Sequence, residues 1–498
     1  MKPTQHTRRD FLRTGTAITG AAALTGSPLQ SALAGPANGS GAIGGRAKPN
    51  FLFVIADQLG LDAIGAHGRK DVRTPNLDRI INTGTTFIES HSTNPVCSPA
   101  RSSLMTGRMP QETGVTTNGL PIHPDCPTIG HVLGSQGYDA YYCGKWHLPG
   151  PIPGPDDGFT VLPARGGQGD IDDEAISRTS EGFIRSRTGN KTPWLMVSSF
   201  LQPHDICFWG NHEGARLPDG LPFPDAEELL PELPPNLRSR PKEPKGFVNL
   251  FKERTDLQWQ YYLYVYARMI EMLDADVGRL LTALDATGQA DNTIIVFTSD
   301  HGDGQGRHSH VSKWYPYDES VKVPLCITCP GLLPEGVRDT RHLVSGCDIM
   351  PTLCDYAGVK PPQRLQGLSL RPVLEESDPT WRDYVVSEVQ RQCFVLRTER
   401  YKYVHFEDDP VEQLFDMKQD PWETVNQYEN PEFSGILDEH RRLLAEYHTT
   451  IKPVPASKAP AAAKINRSAA QGANRPAAAQ NRPGTATPRR RPAAGEIE

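Results

Sequence analysis

The residues whose types and spacing suggest chemistry lie far apart in the chain. Cys97 opens the run Cys97-Ser98-Pro99-Ala100-Arg101, which continues through Leu104 to Gly107-Arg108. Proline is tolerated in the first turn of a helix, where its missing N–H costs nothing, so Pro99 places position 97 at a helix N-terminus. Free amide donors and the positive helix end there favour an anion. Asp57 and Asp300 each follow a continuous apolar run, Phe51–Ala56 and Thr293–Ser299. Such runs read as strands buried on both faces of a parallel sheet. Open α/β sheets bind ligands beyond the carboxyl ends of their strands, so two carboxylates distant in sequence can converge on one site. A third strand of this kind, Trp194–Phe200, runs into Pro203-His204-Asp205.

With its following helix, the Cys97-x-Pro-x-Arg101 run resembles the sulfatase family, whose C-x-P-x-R signature is the target for oxidising that cysteine to formylglycine. The resemblance implies that the hydrated aldehyde at position 97 supplies a geminal diol: one hydroxyl attacks sulfur and the other later expels the sulfate. An ordinary serine sulfate would break slowly, whereas the diol ejects sulfate by collapsing back to the aldehyde. The resemblance further implies a divalent metal at residue 97, held by Asp57 and Gln58 after the first strand and by Asp300 and His301 after the later one. Many sulfatases have a second acid where Gln58 stands and an Asn where His301 stands. The Asp-Gln and Asp-His versions also occur in choline sulfatase-like enzymes and in phosphonate monoester hydrolases of the same superfamily. Hard oxygen ligands favour Ca²⁺ or Mg²⁺, and an imidazole also accepts Mn²⁺ or Zn²⁺; the resemblance puts Ca²⁺ first.

Gly144-Lys145-Trp146-His147 matches the family's G-K-W-H segment, and Lys313 follows Asp300 at a family-like distance. By the same resemblance, Lys145 and Lys313 neutralise the sulfate oxygens and Arg101 bonds the diol or its charge partner. His147 would take a proton from the diol, and His204 would protonate the leaving alcohol oxygen. His308 and His310 read either as pocket-shaping or as part of an exposed loop. Gln413–Asp416, Asp420–Glu423 and Asn426 resemble the family's C-terminal segment and are expected to dock a smaller sheet. The resemblance spans roughly residues 50–450 and implies an α/β fold: an alkaline phosphatase-like mixed central sheet between helices, with a smaller C-terminal α+β subdomain. The implied activity is hydrolysis of a sulfate ester, on a sugar or oligosaccharide, after modification by a formylglycine-generating enzyme. Two alternatives stay open: a phosphonate or phosphate ester hydrolase using the same residues, and an inactive carbohydrate-binding relative in which Cys97 stays a thiol.

The elements that must position these groups divide the chain into residues 50–371, a catalytic domain, and 372–454, a subdomain. Within the first, Leu257–Ala286 reads as a long crossover helix stopped by Gly288. After Pro372 the shorter alternating segments Phe394–Thr398 and Tyr401–His405 fit an antiparallel sheet. Cys326-x-x-Cys329 lies in the apolar stretch Val323–Pro330 and reads as a core strand, because free cysteine behaves as a small buried hydrophobe. The Pro-rich, acidic segment Trp209–Gly246 is expected near the pocket.

Residues 1–34 resemble a twin-arginine signal, with Arg8-Arg9, an apolar run from Thr14 to Leu24, and Ala32-Leu33-Ala34. The expected location is therefore periplasmic or secreted. Residues 35–49 suit a flexible leader. Residues 455–498, rich in Ala, Pro, Arg and Asn, carry too little apolar surface to fold. No other run is long and apolar enough to span a membrane. These termini also skew the net charge of −7: they carry +3 and +6, leaving residues 35–454 near −16. So acidic a body argues against nucleic-acid binding, which rests on Lys and Arg neutralising phosphates. An anionic substrate therefore needs a locally positive pocket.

Overall fold

A computed structural model describes residues 48–454 apart from 151, 155, 165–172, 213–227, 246–251, 376–378 and 390–392. The expected signal, the tail and nearly all of the leader lie outside the described residues. The run Asn50–Asp57 forms strand β1, and its alternating side chains build two cores at once. Phe51, Phe53 and Ile55 enter one cluster with Leu104, Met105 and Leu353. Leu52, Val54 and Ala56 enter another with Tyr266, Ile270 and Val277 of the helix Asp256–Ala286. Helices thus cover both faces, which is why the strand reads as one unbroken apolar run.

The remaining strands of the sheet are β2 (Thr85–Phe87), β4 (Asp139–Gly144), β5 (Thr160–Val161), β6 (Trp194–Pro203), β7 (Thr293–Ser299), β8 (Leu325–Thr328) and β9 (Val337–Asp339). A short β3 (Ser90–His91) pairs separately with β10 (Val344–Ser345). The eight-stranded order is β5-β4-β6-β1-β7-β8-β2-β9. β5, β4, β6, β1 and β7 run parallel, while β8 runs antiparallel to both β7 and β2. Cys326 lies buried in β8 and Cys329 is buried just beyond it, as a core strand requires. All nine cysteines are free.

The long helix starts at a capping box, in which the Thr255 hydroxyl accepts from Gln258 N–H, and ends before Gly288 in the left-handed region. Among the described residues no helix is long and apolar enough to cross a membrane.

The C-terminal sheet is antiparallel, in the order β11 (Tyr384–Val389), β12 (Cys393–Thr398), β13 (Tyr401–Phe406), β14 (Gln413–Asp416). Phe394, Leu396 and Leu414 pack on Leu437, Leu444 and Tyr447 of the helix Ser434–Thr450. Fully buried Lys402 pairs at 2.6 Å with both Asp318 and Glu423. The segment around Asp420–Glu423 therefore docks the small sheet onto the loop that carries Lys313, in keeping with the structural role expected of it.

A second buried junction is Glu388, which accepts from Tyr447 Oη and from Gln111 N–H. Burial pushes its carboxyl up to about 8, against the hydrogen bond from Tyr447. The folded form therefore keeps its proton well above the pH at which the unfolded chain loses it. This contribution to stability is complete below pH ~4.5 and is lost as pH rises through about 8. Glu388→Gln, neutral at every pH, is expected to gain on the parent by roughly 3 kcal/mol between pH 5 and pH 8. Urea unfolding midpoints at the two pH values check this; an unchanged difference would refute it.

Candidate active site

Four neighbouring parallel strands, β4, β6, β1 and β7, end on one edge, and each delivers a residue. Lys145 follows β4, His204 follows β6, Asp57 ends β1 and Asp300 follows β7. The pairing registers align Gly144 with Ser199, Asp57 with Pro203 and Ala56 with Ser299, so the four side chains converge. Gly144 must be glycine: its φ is +100°, and a Cβ there would lie 2.0 Å from the Ser199 carbonyl oxygen. Cys97 comes from elsewhere, as the first residue of the helix Cys97–Thr106. Pro99 lies in its first turn, as the sequence predicts.

Cys97 Sγ lies 3.1 Å from Lys313 Nζ, 3.2 Å from His301 Nε2 and 3.8 Å from both Lys145 Nζ and Asp57 Oδ1. Burial pushes its thiol up, yet Lys145, Lys313 and His301 together hold it well below the ordinary thiol range. Arg101 does not point at Cys97. Its Nε donates to Asp300 Oδ2 at 2.8 Å and its Nη2 to Asp57 Oδ2 at 2.9 Å, while Nη1 donates to Lys145 O and Ser199 Oγ. Of the two expected roles it takes the second, clamping the carboxylates that face residue 97. Lys145 Nζ also pairs with Asp57 Oδ2 at 2.6 Å. Burial and Cys97 oppose ionisation of Asp57, but Lys145, His204 and Arg101 hold it far below the usual carboxylate range.

Asp57, Cys97, Asp300 and His301 each present a ligand atom, all within 4.8 Å of one another and all buried. His301 Nδ1 lies 2.9 Å from the Gly302 carbonyl oxygen. That bond places a proton on Nδ1 and turns Nε2 toward the cluster. Burial opposes charge on His301, but in the metal-free site Asp300 and Cys97 favour its protonated form, and Nε2 would become a ligand once a cation displaces its proton. The donor set of two carboxylates and an imidazole therefore fits a divalent cation. Gln58 adds an amide: its Oε1 accepts from Lys313 Nζ at 3.0 Å and its Nε2 donates to Asp303 Oδ2 at 2.7 Å. Two carboxylates face three cations, Arg101, Lys145 and Lys313. This acidic protein thus carries the positive pocket that an anion needs.

A cleft of about 480 Å³ reaches Cys97 and is lined by Asn118, Lys145, His147, Leu201, His204 and Lys313, among others. His147 and His204 each keep a buried Nδ1 without a hydrogen-bond partner. Burial, reinforced by Lys145 and Lys313, lowers His204 to about 4.

His308 and His310 are not on an exposed loop. Both are buried, His308 stacked on Tyr317 at 4.1 Å and His310 on Tyr315 at 3.9 Å between ring centres, and burial keeps both imidazoles neutral. In the Trp209–Gly246 segment, residues 213–227 and 246 lie outside the described residues. Within the described part, Asn236 bonds His308 and the Trp422 carbonyl, and Glu243 accepts from Tyr317.

The sequence reading missed two residues that the geometry brings forward. Asn118 Oδ1 accepts from Ser98 N–H at the start of the Cys97 helix while the residue lines the cleft; no local pattern marks it. Asp303, behind Gln58, had a signal in its place two residues after His301.

The Sulfatase family model matches residues 49–359, more than half of the chain. A second model, described as N-sulphoglucosamine sulphohydrolase, C-terminal, matches residues 306–450. The chain is 31% identical over 437 residues to a Delta 4,5-hexuronate-2-O-sulfatase of Bacteroides thetaiotaomicron, covering 81% of this chain and 90% of that one. Among solved structures it resembles a 2-O GAG sulfatase with a TM-score of 0.70 and 28% identity, covering 82% of this chain and 96% of the other. It also resembles the phosphonate monoester hydrolase of Agrobacterium radiobacter, with a TM-score of 0.66 and 25% identity over 81% of this chain and 96% of that one.

Proposed function

Because the chain belongs to the sulfatase family and is a sulfuric ester hydrolase, we propose that it removes sulfate from a sugar or oligosaccharide after Cys97 is converted to formylglycine. The observation that carries this reading is the surroundings of Cys97 Sγ, with Lys313, His301, Lys145 and Asp57 all within 3.8 Å. Sγ stands in for an oxygen of the hydrated aldehyde. In the proposed cycle one hydroxyl of residue 97 gives up its proton to solvent in the cleft and attacks sulfur as the ester oxygen departs, and His204 gives that oxygen its proton. His147 then takes the proton of the second hydroxyl, the C–O bond to sulfate breaks, the aldehyde returns, and water adds to it to restore the diol. Lys145 and Lys313 stand where charge builds on the sulfate oxygens. An anion between these lysines also counters their pull on His204 and favours its protonated form.

Asp57, Gln58, Asp300 and His301 would hold the divalent cation, for which Ca²⁺ is our first choice. When bound, it would supply Lewis-acid polarisation of the nucleophile at residue 97 and neutralise charge on the ester. Conversion of Cys97 requires a formylglycine-generating enzyme as partner. Export by the twin-arginine route would deliver the folded protein to the periplasm or beyond.

Carbohydrate as the substrate is supported by the hexuronate sulfatase relative. A second reading, phosphonate ester hydrolysis, is favoured by Gln58 and His301 and by the likeness to the phosphonate monoester hydrolase. Matched sulfate and phosphonate esters of one alcohol separate the two. We expect the larger kcat/KM on the sulfate ester, and a clear preference for the phosphonate would overturn the proposal. Sulfated sugars set against choline sulfate and an aryl sulfate test the substrate class in the same assay.

A further inference from the structure

Gln58 is where the chain departs from the acid that many sulfatases carry, and its surroundings supply a physical reason. Asp303 is fully buried behind it. Among the described residues each of its hydrogen bonds is with a group that can donate. Its Oδ2 accepts from Gln58 Nε2 at 2.7 Å and from Ser312 N–H at 3.0 Å. Its Oδ1 accepts from Gln305 N–H at 2.8 Å, and Tyr262 Oη lies 3.0 Å from each oxygen. An acid at position 58 would set two carboxylates edge to edge, which must either repel or share a proton.

The backbone of Gln58 is equally constrained. It sits at φ +68°, its carbonyl accepts from Tyr266 Oη at 2.6 Å and its N–H donates to Asp300 Oδ1 at 3.2 Å. What remains free is the amide torsion, which exchanges oxygen for nitrogen with almost no change of shape. An amide held between an acceptor-only group and a donor-only group has one satisfied orientation. Asp303 Oδ2, which accepts from Gln58 and from Ser312 N–H, supplies the acceptor, and the Lys313 ammonium, 3.0 Å from Gln58 Oε1, is the donor-only group. Cys207 Sγ, within 3.2 Å of both ends of the amide, selects neither orientation.

We propose that Asp303 is a positioning residue that fixes the Gln58 amide with its oxygen toward the cation cluster and Lys313. The assignment rests on the metal reading of the site. In Asp303→Asn one carboxylate oxygen becomes an NH₂ group. With that group on the Gln58 side, Gln58 turns its oxygen toward it and its own NH₂ toward the cation, where donor meets positive charge; on the far side the group would oppose the Gln305 N–H. In the double variant Gln58→Glu, Asp303→Asn the match returns, because the introduced glutamate accepts from the NH₂ of the introduced asparagine with one oxygen and keeps the other for the cation.

The test is calorimetric titration of chelator-stripped full-length protein with Ca²⁺ alone, with folding checked by circular dichroism. Loss of an orienting partner behind a ligand lowers metal affinity by about 10- to 100-fold, which is the drop expected for Asp303→Asn, with recovery to within about threefold of the parent in the double variant. Asp303→Asn binding Ca²⁺ as tightly as the parent overturns the assignment alone, as does a double variant no tighter than the single one. If the single variant does not fold, the double variant decides: parental affinity upholds the assignment, and failure to fold or bind overturns it. A parent that binds no Ca²⁺ overturns both the assignment and the calcium reading beneath it.

Discussion

Replacing Cys97 by serine is expected to turn the enzyme into a single-turnover reagent. Serine keeps one hydroxyl beside Lys313, Lys145 and His301, so it retains a nucleophile in the same positive surroundings. It lacks the second hydroxyl, and a serine sulfate has no geminal oxygen through which to collapse. Incubation with a chromogenic sulfate ester is predicted to release at most one equivalent of alcohol and leave a peptide covalently sulfated on the serine introduced at position 97. Steady-state kcat falls on the order of 10⁴-fold or more, the scale lost with a covalent nucleophile. Continued turnover at the parental rate would contradict the diol mechanism. No turnover and no sulfated peptide would leave residue 97 essential but remove the argument for its second hydroxyl.

The second large effect belongs to Arg101. Its guanidinium is fully buried and forks onto Asp57 and Asp300, with the Lys145 carbonyl and Ser199 hydroxyl filling its remaining contacts. Arg101→Ala takes the guanidinium away from Asp300 in a dry site and leaves it, among the described residues, only the His301 ring at 3.6 Å as an ion-pair partner. Breaking such a buried pair costs about 3–5 kcal/mol. Because native domains hold only about 5–15 kcal/mol in total, the urea midpoint should fall sharply. The carboxylates also lose their common orientation, which is expected to lower kcat by about 10²-fold or more. Arg101→Lys restores charge but cannot fork to both acids, so it should recover stability only in part. The midpoints are measured with a chelator present, so that metal binding does not mask the difference. A midpoint within error of the parent would show that the carboxylates are held by something else.

How much of this was legible in the chain depends on how local each cause is. β1, β6 and β7 were readable because strands covered on both faces leave unbroken apolar runs, and their ends located Asp57, His204 and Asp300. Pro99 marked the start of the Cys97 helix, and the long helix carries its own stop in Gly288. The direction of β8 was not readable, since the short buried run Leu325–Thr328 says nothing about whether a strand runs parallel to its neighbour. Nor was the choice Arg101 makes between residue 97 and the carboxylates, which depends on where β1 and β7 end relative to its helix. The burial of His308 and His310 was hidden because a short polar stretch looks solvated until Tyr315 and Tyr317 close over it. Asn118 and Asp303 act on residues distant in sequence or through a side chain that faces away from the ion cluster, so motif spacing could not reach Asn118 and pointed only weakly to Asp303.

The central claim is that residue 97 is an aldehyde in the working enzyme. Mass spectrometry of the peptide carrying it, from protein made together with a formylglycine-generating enzyme, tests that directly. The predicted result is the mass of formylglycine at position 97 and its loss in Cys97→Ser. An unmodified thiol, in cells that convert a control sulfatase, would contradict it and move the weight to a binding protein built on the same fold.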